Sequence, residues 1–222
     1  MRFGPVPTAA SEGAVLAHSL KIGGRKLPKG TVLAPVHVAA IAAAGISTVT
    51  VARLEPGDVG EDAAASALAA ALVPDPAAAG LALTKPHAGR VNLHAHRPGL
   101  VEMDAAAIHA LNRIDPSITL ATLAPMTRVT PDMLVGTVKI ISYAVSGRAL
   151  DAARAAAGAS VRVRPVVLRT AGLILTEVPG EGDKLARKAE AAVAARLGAL
   201  GIALAEVRTV PHEESAIAQA IS

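Results

Sequence analysis

The last quarter of the chain is patterned as a β-α-β unit, and no other stretch narrows the fold as far. An apolar segment at 171–176 leads into a polar, glycine-bearing stretch at 177–183, then a long helix and a second strand at 202–207. Along the helix Leu185, Ala189, Ala192, Val193, Leu197 and Leu200 form one stripe, with Lys184, Arg187, Lys188, Glu190 and Arg196 mostly elsewhere, which marks an amphipathic crossover helix. Gly201 stands where a C′ glycine belongs. Open α/β sheets take their ligands at the carboxyl ends of their strands, and the loop into the helix offers unpaired N–H groups there. The third strand, with the loop that closes such a pocket, is expected beyond Ser222.

The rest of the chain has to build its core from aliphatic side chains. About half of the 222 residues are apolar, yet Phe3 and Tyr143 are the only aromatics. Domains usually run ~100–150 residues, so more than one is expected. The absence of cysteine removes disulfides, thiolate ligands and a Cys nucleophile together, and fits a reducing cytoplasm. The N-terminus has no apolar signal region, and no stretch reaches the ~18 consecutive apolar residues of a membrane span. Twenty-two basic against 18 acidic residues leave a net charge of +4. Single-strand nucleic-acid binders need aromatic stacking platforms, so scattered positive charge on a soluble face is the reading here.

The expected class is α/β and α+β, multidomain, with a mostly β middle domain and a C-terminal partial doubly wound β-α-β unit. Residues 1–73 read as a small α+β module: a short strand pair turning at Gly23-Gly24, a helix from Pro35 to Ala44 closed by Gly45, a β-branched strand at 47–52, and an alanine-rich helix opened by Glu61 and Asp62. Residues 74–146 read as mostly β, with one helix near 104–112 that Asp104 caps. The apolar run at 134–141 suits a strand covered on both faces. An alanine-rich helix within 147–160 connects to 161–222, where Arg162, Val163, Arg164 and Pro165 feed the α/β unit.

Three stretches together carry a resemblance. The first holds Gly13-Ala14-Val15-Leu16-Ala17-His18, Lys29-Gly30, Ala43-Ala44-Gly45-Ile46 and Asp58-Val59-Gly60-Glu61-Asp62. The second holds Gly89-Arg90-Val91-Asn92-Leu93, Gly99-Leu100, Leu111-Asn112-Arg113-Ile114-Asp115 and Val138-Lys139-Ile140-Ile141. The third is 161–221. In their order and spacing the chain resembles the N-terminal part of bacterial molybdopterin-binding proteins, some of which are fused to a nucleotidyltransferase domain. Its third stretch is similar to the start of the domain shared by molybdopterin adenylyltransferase and molybdenum insertase.

The resemblance implies molybdopterin as ligand, with Mg²⁺ beside it, in cofactor biosynthesis or handling. In that family the pterin phosphate and dithiolene lie over strand-end loops, one a Thr/Ser-Gly-Asp-type segment after the first strand, another a Gly-Gly segment after the third. Thr176, Gly180, Gly182, Asp183 and Lys184 are the partial counterpart of the first, without the immediate Gly-Asp after Thr176. The second, and the acidic residues used with Mg²⁺, fall beyond Ser222. Binding rather than a complete reaction follows, and a partner chain or a second copy is expected to complete the unit.

On the residues alone Gly180 and Gly182 permit close backbone approach to a phosphate, Lys184 neutralises charge and Thr176 donates its hydroxyl. Glu177, Glu181 and Asp183 oppose an anion unless a cation bridges them, so an ordinary strand-to-helix loop stays the simpler reading. His94 and His96, with His87 upstream, share one face of a strand, but tetrahedral zinc wants three or four protein ligands; a solvated histidine pair is simpler. His212, Glu213 and Glu214 read as a helix start, as do Asp58, Glu61 and Asp62. No Ser lies in a Gly-x-Ser-x-Gly elbow. The second functional reading is a non-catalytic scaffold whose exposed sheet edge pairs with another chain.

Overall fold

The computed structural model describes residues 1–177 and 183–222. Its first unit is built around β1 (Arg2–Pro7), β2 (Val15–Leu16), the hairpin β3 (Leu20–Ile22) and β4 (Arg25–Leu27), helix α1 (Pro35–Ala43) and β5 (Thr48–Arg53). The β1 strand escaped the sequence reading because Pro5 and Pro7 argue against a strand. It is an edge strand of the sheet β1-β5-β2, where a missing N–H is tolerated. Gly23 and Gly24, at φ +55° and +76°, make the tight hairpin turn. Pro35 begins α1, where its ring fits the first turn. Ala14, Leu16, Leu33, Ile41, Val49 and Val51 form this unit's core.

A second, larger core gathers β6 (Asp58–Gly60), α2 (Glu61–Leu72), α3 (Pro76–Ala79), β7 (Leu81–Leu83), β8 (Arg90–Ala95), β9 (Gly99–Met103), α4 (Ala105–Leu111), β10 (Ile118–Thr122), β11 (Arg128–Val129), β12 (Leu134–Ile140), β13 (Ala144–Ser146), α5 (Gly147–Ala157) and β14 (Val161–Pro165). The strands form an antiparallel sheet β10-β12-β8-β7, a second one β11-β9-β14, and the pair β13-β6. Helix α2 packs on β8, β12 and α5. Its buried face, Ala64, Ala65, Leu68, Ala69 and Leu72, is part of this core and not of the first. Asp104 caps α4 as the sequence signals, its carboxylate accepting from the Ala107 N–H at 3.0 Å, and at α5 the Ser146 hydroxyl accepts from the Ala149 N–H at 3.2 Å.

Two sequence expectations change here. The β12 strand is not covered alike on both faces: Val138 and Ile140 are buried while Thr137 and Lys139 are half-buried. Its polar alternate positions face Asn92 and a cleft, so the apparent continuity of the run hides a period of two. And β14, expected to feed the C-terminal unit, pairs antiparallel with β9, Val161 opposite Met103 and Pro165 opposite Gly99. Burial of Val161 and Val163 in the larger core decides this.

Arg162 and Arg164 lie on the outer face of β14, and both grip Glu102 of β9, Arg162 at 2.7 Å. The two guanidinium groups hold the Glu102 carboxyl down at about 2. A carboxyl lowered from 4.5 stabilises the fold above that pH, and its contribution disappears as the pH falls through about 2. Glu102→Gln is therefore expected to flatten the fall in melting temperature between about pH 4.5 and 2, with little change at neutral pH because the pair is exposed.

The C-terminal unit consists of β15 (Thr170–Glu177), α6 (Asp183–Gly198), β16 (Ala203–Pro211) and α7 (Glu214–Ile221). Strands β15 and β16 pair in parallel, Thr176 opposite Val210 and Glu177 opposite Pro211. Helix α6 packs on both strands through half-buried Ala189, Val193 and Leu197. Among the described residues of this unit only Ile202 is buried, while Leu185 is 59% and Ile221 73% exposed. No helix among the described residues is long and apolar enough to cross a membrane.

Candidate functional site

Parallel pairing brings the carboxyl ends of β15 and β16 side by side, with α6 beginning at the same end of β15. Thr176 stands exposed at the strand end, and its hydroxyl lies 3.0 Å from His212 Nδ1, just past the end of β16. This contact was not legible in the sequence: His212 reads as part of a helix start, yet α7 begins at Glu214 and Glu213, its N-cap residue, makes no side-chain cap. Asp183 and Lys184 occupy the first turn of α6, Lys184 being exposed. Gly180 and Gly182 lie outside the described residues. The described side chains at this end thus offer a hydroxyl, an imidazole and an ammonium group as donors, against the carboxylate of Glu177.

A second group of polar residues converges between the first unit and the larger one. A cleft of about 430 Å³ is lined by Lys29, Gly30 and Thr31 from the loop after β4, Glu61 and Asp62 from the start of α2, His87 and Ala88 from the turn before β8, and Lys139, Ile141 and Tyr143 from the end of β12 and beyond. Its floor is the turn at Ala88 and Gly89, whose φ values are +49° and +70°. Ala88 is in a conformation that favours glycine. The turn is held from three sides: Asp62 Oδ1 accepts from the Gly89 N–H at 2.6 Å, Lys139 Nζ donates to the Ala88 carbonyl at 2.6 Å, and the Ile140 N–H donates to the Gly89 carbonyl at 2.8 Å.

Lys139 lies 4.0 Å from Glu61. Partial burial pushes the Glu61 carboxyl up, and Lys139, with Lys29 and His87, pulls it partly back. Tyr143 joins the two walls: its hydroxyl donates to the Ala17 carbonyl at 2.7 Å, and its ring stacks on Phe3 with centroids 6.3 Å apart. The chain's two aromatics thus meet where the first unit meets the larger one, and burial pushes the Tyr143 phenol up. A hollow of about 510 Å³ beside Gly57, Ser146 and Arg148 has a single cation on its wall.

The histidines do not gather. His94 Nδ1 lies 2.9 Å from the Asp132 carbonyl, and His96 is exposed past the end of β8. Among the described residues no three His, Asp or Glu side chains are placed to hold a metal ion. Asp58 pairs with the Met1 amine at 2.8 Å.

These elements define a mixed α/β protein with a short parallel unit at its C-terminal end. A family model described as a domain of unknown function, DUF8806, matches residues 5–53, the span from within β1 to the end of β5. No curated protein and no solved structure matches the chain.

Proposed function

We propose that this chain binds molybdopterin, an anionic pterin, at the strand ends of its C-terminal unit, in the biosynthesis or handling of the molybdenum cofactor. The observation that carries the reading is the parallel register of β15 and β16, which sets Thr176, His212 and the first turn of α6 at one end of the sheet. In such a unit the amide hydrogens of the helix start and a lysine on its first turn meet a phosphate, and a strand-end hydroxyl orients it. The order of the resembling stretches supports the choice of a pterin ligand over other anions. Glu177 sets a carboxylate against the phosphate, and Mg²⁺ brought with the ligand would offset that charge, its further oxygen donors coming from the phosphate and water.

Calorimetric titration with molybdopterin under anaerobic conditions tests this. Lys184→Ala is expected to weaken binding about tenfold, the size of one charge-assisted contact of about 1.4 kcal/mol. Unchanged affinity removes the α6 start from the site.

A specific observation favours a second reading, in which the unit pairs with a further strand from a partner chain or a second copy. Each strand of the β15-β16 sheet has one partner only among the described residues, and Val167 and Leu168 before β15 and Leu185 on α6 are exposed. That reading needs self-association in sedimentation without ligand and is indifferent to Lys184.

A further inference from the structure

We propose that the cleft between the first and the larger unit is a second binding site, for a small anionic molecule that carries a hydroxyl or N–H donor beside its charged group. The inference goes beyond the pterin reading and does not depend on it, since none of the cleft residues belongs to the C-terminal unit. Three separate chain segments bring cations or imidazole to one cavity: Lys29, His87 and Lys139. Of the two carboxylates in its wall, Asp62 is committed to the Gly89 N–H, and Glu61 is the one left to accept from a ligand. With the imidazole neutral, the two ammonium groups balance the two carboxylates, so what favours an anion is local: an ammonium group at the rim outside any ion pair among the described residues.

Lys29 decides the polarity. Among the described residues it has no ion pair, it is exposed at the rim, and it lies near enough to Glu61 to influence that carboxyl. Lys139 is different. It gives two hydrogen bonds to the carbonyls of Ala88 and Ile140, and its charge faces Glu61; it anchors the floor and leaves Lys29 to meet the anion. Glu61, whose partial burial favours its protonated form, accepts a hydrogen bond from the ligand when ionised and donates one when protonated. About 430 Å³ is at the small end of ligand cavities, which suits a molecule the size of a sugar phosphate. The strained Ala88 turn, tied to both β12 and α2, is the kind of over-determined backbone that keeps such a floor rigid.

The test is a titration of the full chain, followed by backbone amide NMR, with three probes: inorganic phosphate, ribose 5-phosphate and succinate. Saturable shifts at the amides of Gly30, Thr31, Ala88 and Ile141 are expected. Ribose 5-phosphate should bind more tightly than phosphate, because its hydroxyls reach Glu61, and the comparison of phosphate with succinate tells a phosphate from a carboxylate ligand. Lys29→Ala, an exposed change that leaves the core intact, should weaken the tightest probe at least about fivefold, the loss expected when one ammonium contact of about 1 kcal/mol goes. Lys29→Arg should restore it, and Lys184→Ala should leave it unchanged. Absence of saturable cleft shifts with all three probes, or equal affinity in Lys29→Ala, overturns the proposal.

Discussion

Gly99→Ala is expected to destabilise the larger unit by about 3 kcal/mol, at the upper end for overpacking. Gly99 sits in β9, the central strand of the sheet β11-β9-β14, opposite Val129 on one side and Pro165 on the other. Its backbone is not in the left-handed region, so the effect is steric. A Cβ there overlaps the Arg164 carbonyl oxygen and comes within 2.8 Å of Val163 Cγ1. A carbonyl in a paired strand has nowhere to move, and Val163 is fully packed. The β9-β14 pairing has to open, which also separates Glu102 from Arg162 and Arg164. Urea unfolding followed by circular dichroism measures it; a loss under about 1 kcal/mol means that β14 is not held against β9 as described.

Leu93→Ala is the second large effect, expected to lower stability by about 4 kcal/mol. Leu93 is fully buried in β8, opposite Gly136 of β12 and Leu83 of β7. Helix α2, which packs on β8, contributes Ala64, Ala65 and Ala69 to the same core. Alanines have no rotamers with which to close a cavity, and the chain has almost no aromatics, so the hole persists and the cost stays in the upper part of the range for such truncations. Thermal or urea unfolding reads this directly. A loss below about 2 kcal/mol would show that the sheet and α2 can close on the gap.

The sequence was most informative where the deciding interactions are local. Asp104 at a helix start, Pro35 in a first turn and the Gly23-Gly24 turn act within a few residues, and their elements lie where the pattern puts them. The parallel β15-β16 pair was legible because a helix with one apolar stripe between two apolar strands has few other arrangements. What could not be read depends on distant partners. Pro5 and Pro7 argue against a strand until β5 is seen to leave them at an edge, and Val161 and Val163 are apolar in any register until β9 is seen beside them. The cleft is the extreme case: Lys29, Glu61 and Lys139 come from three segments, and Tyr143 bonds to Ala17 across 126 residues. At the strand-end site, the bond between Thr176 and His212 arises because parallel pairing aligns two strand ends, a relation that neither residue signals alone.

The central claim, that the C-terminal unit receives an anionic pterin at its strand ends, is tested most directly by hydrogen–deuterium exchange with and without molybdopterin. Slower exchange in the segments 173–177 and 184–188, with the first unit unaffected, is the result expected of a ligand seated between the β15 end and the α6 start. Exchange unaltered in both segments at a saturating concentration of the pterin contradicts it.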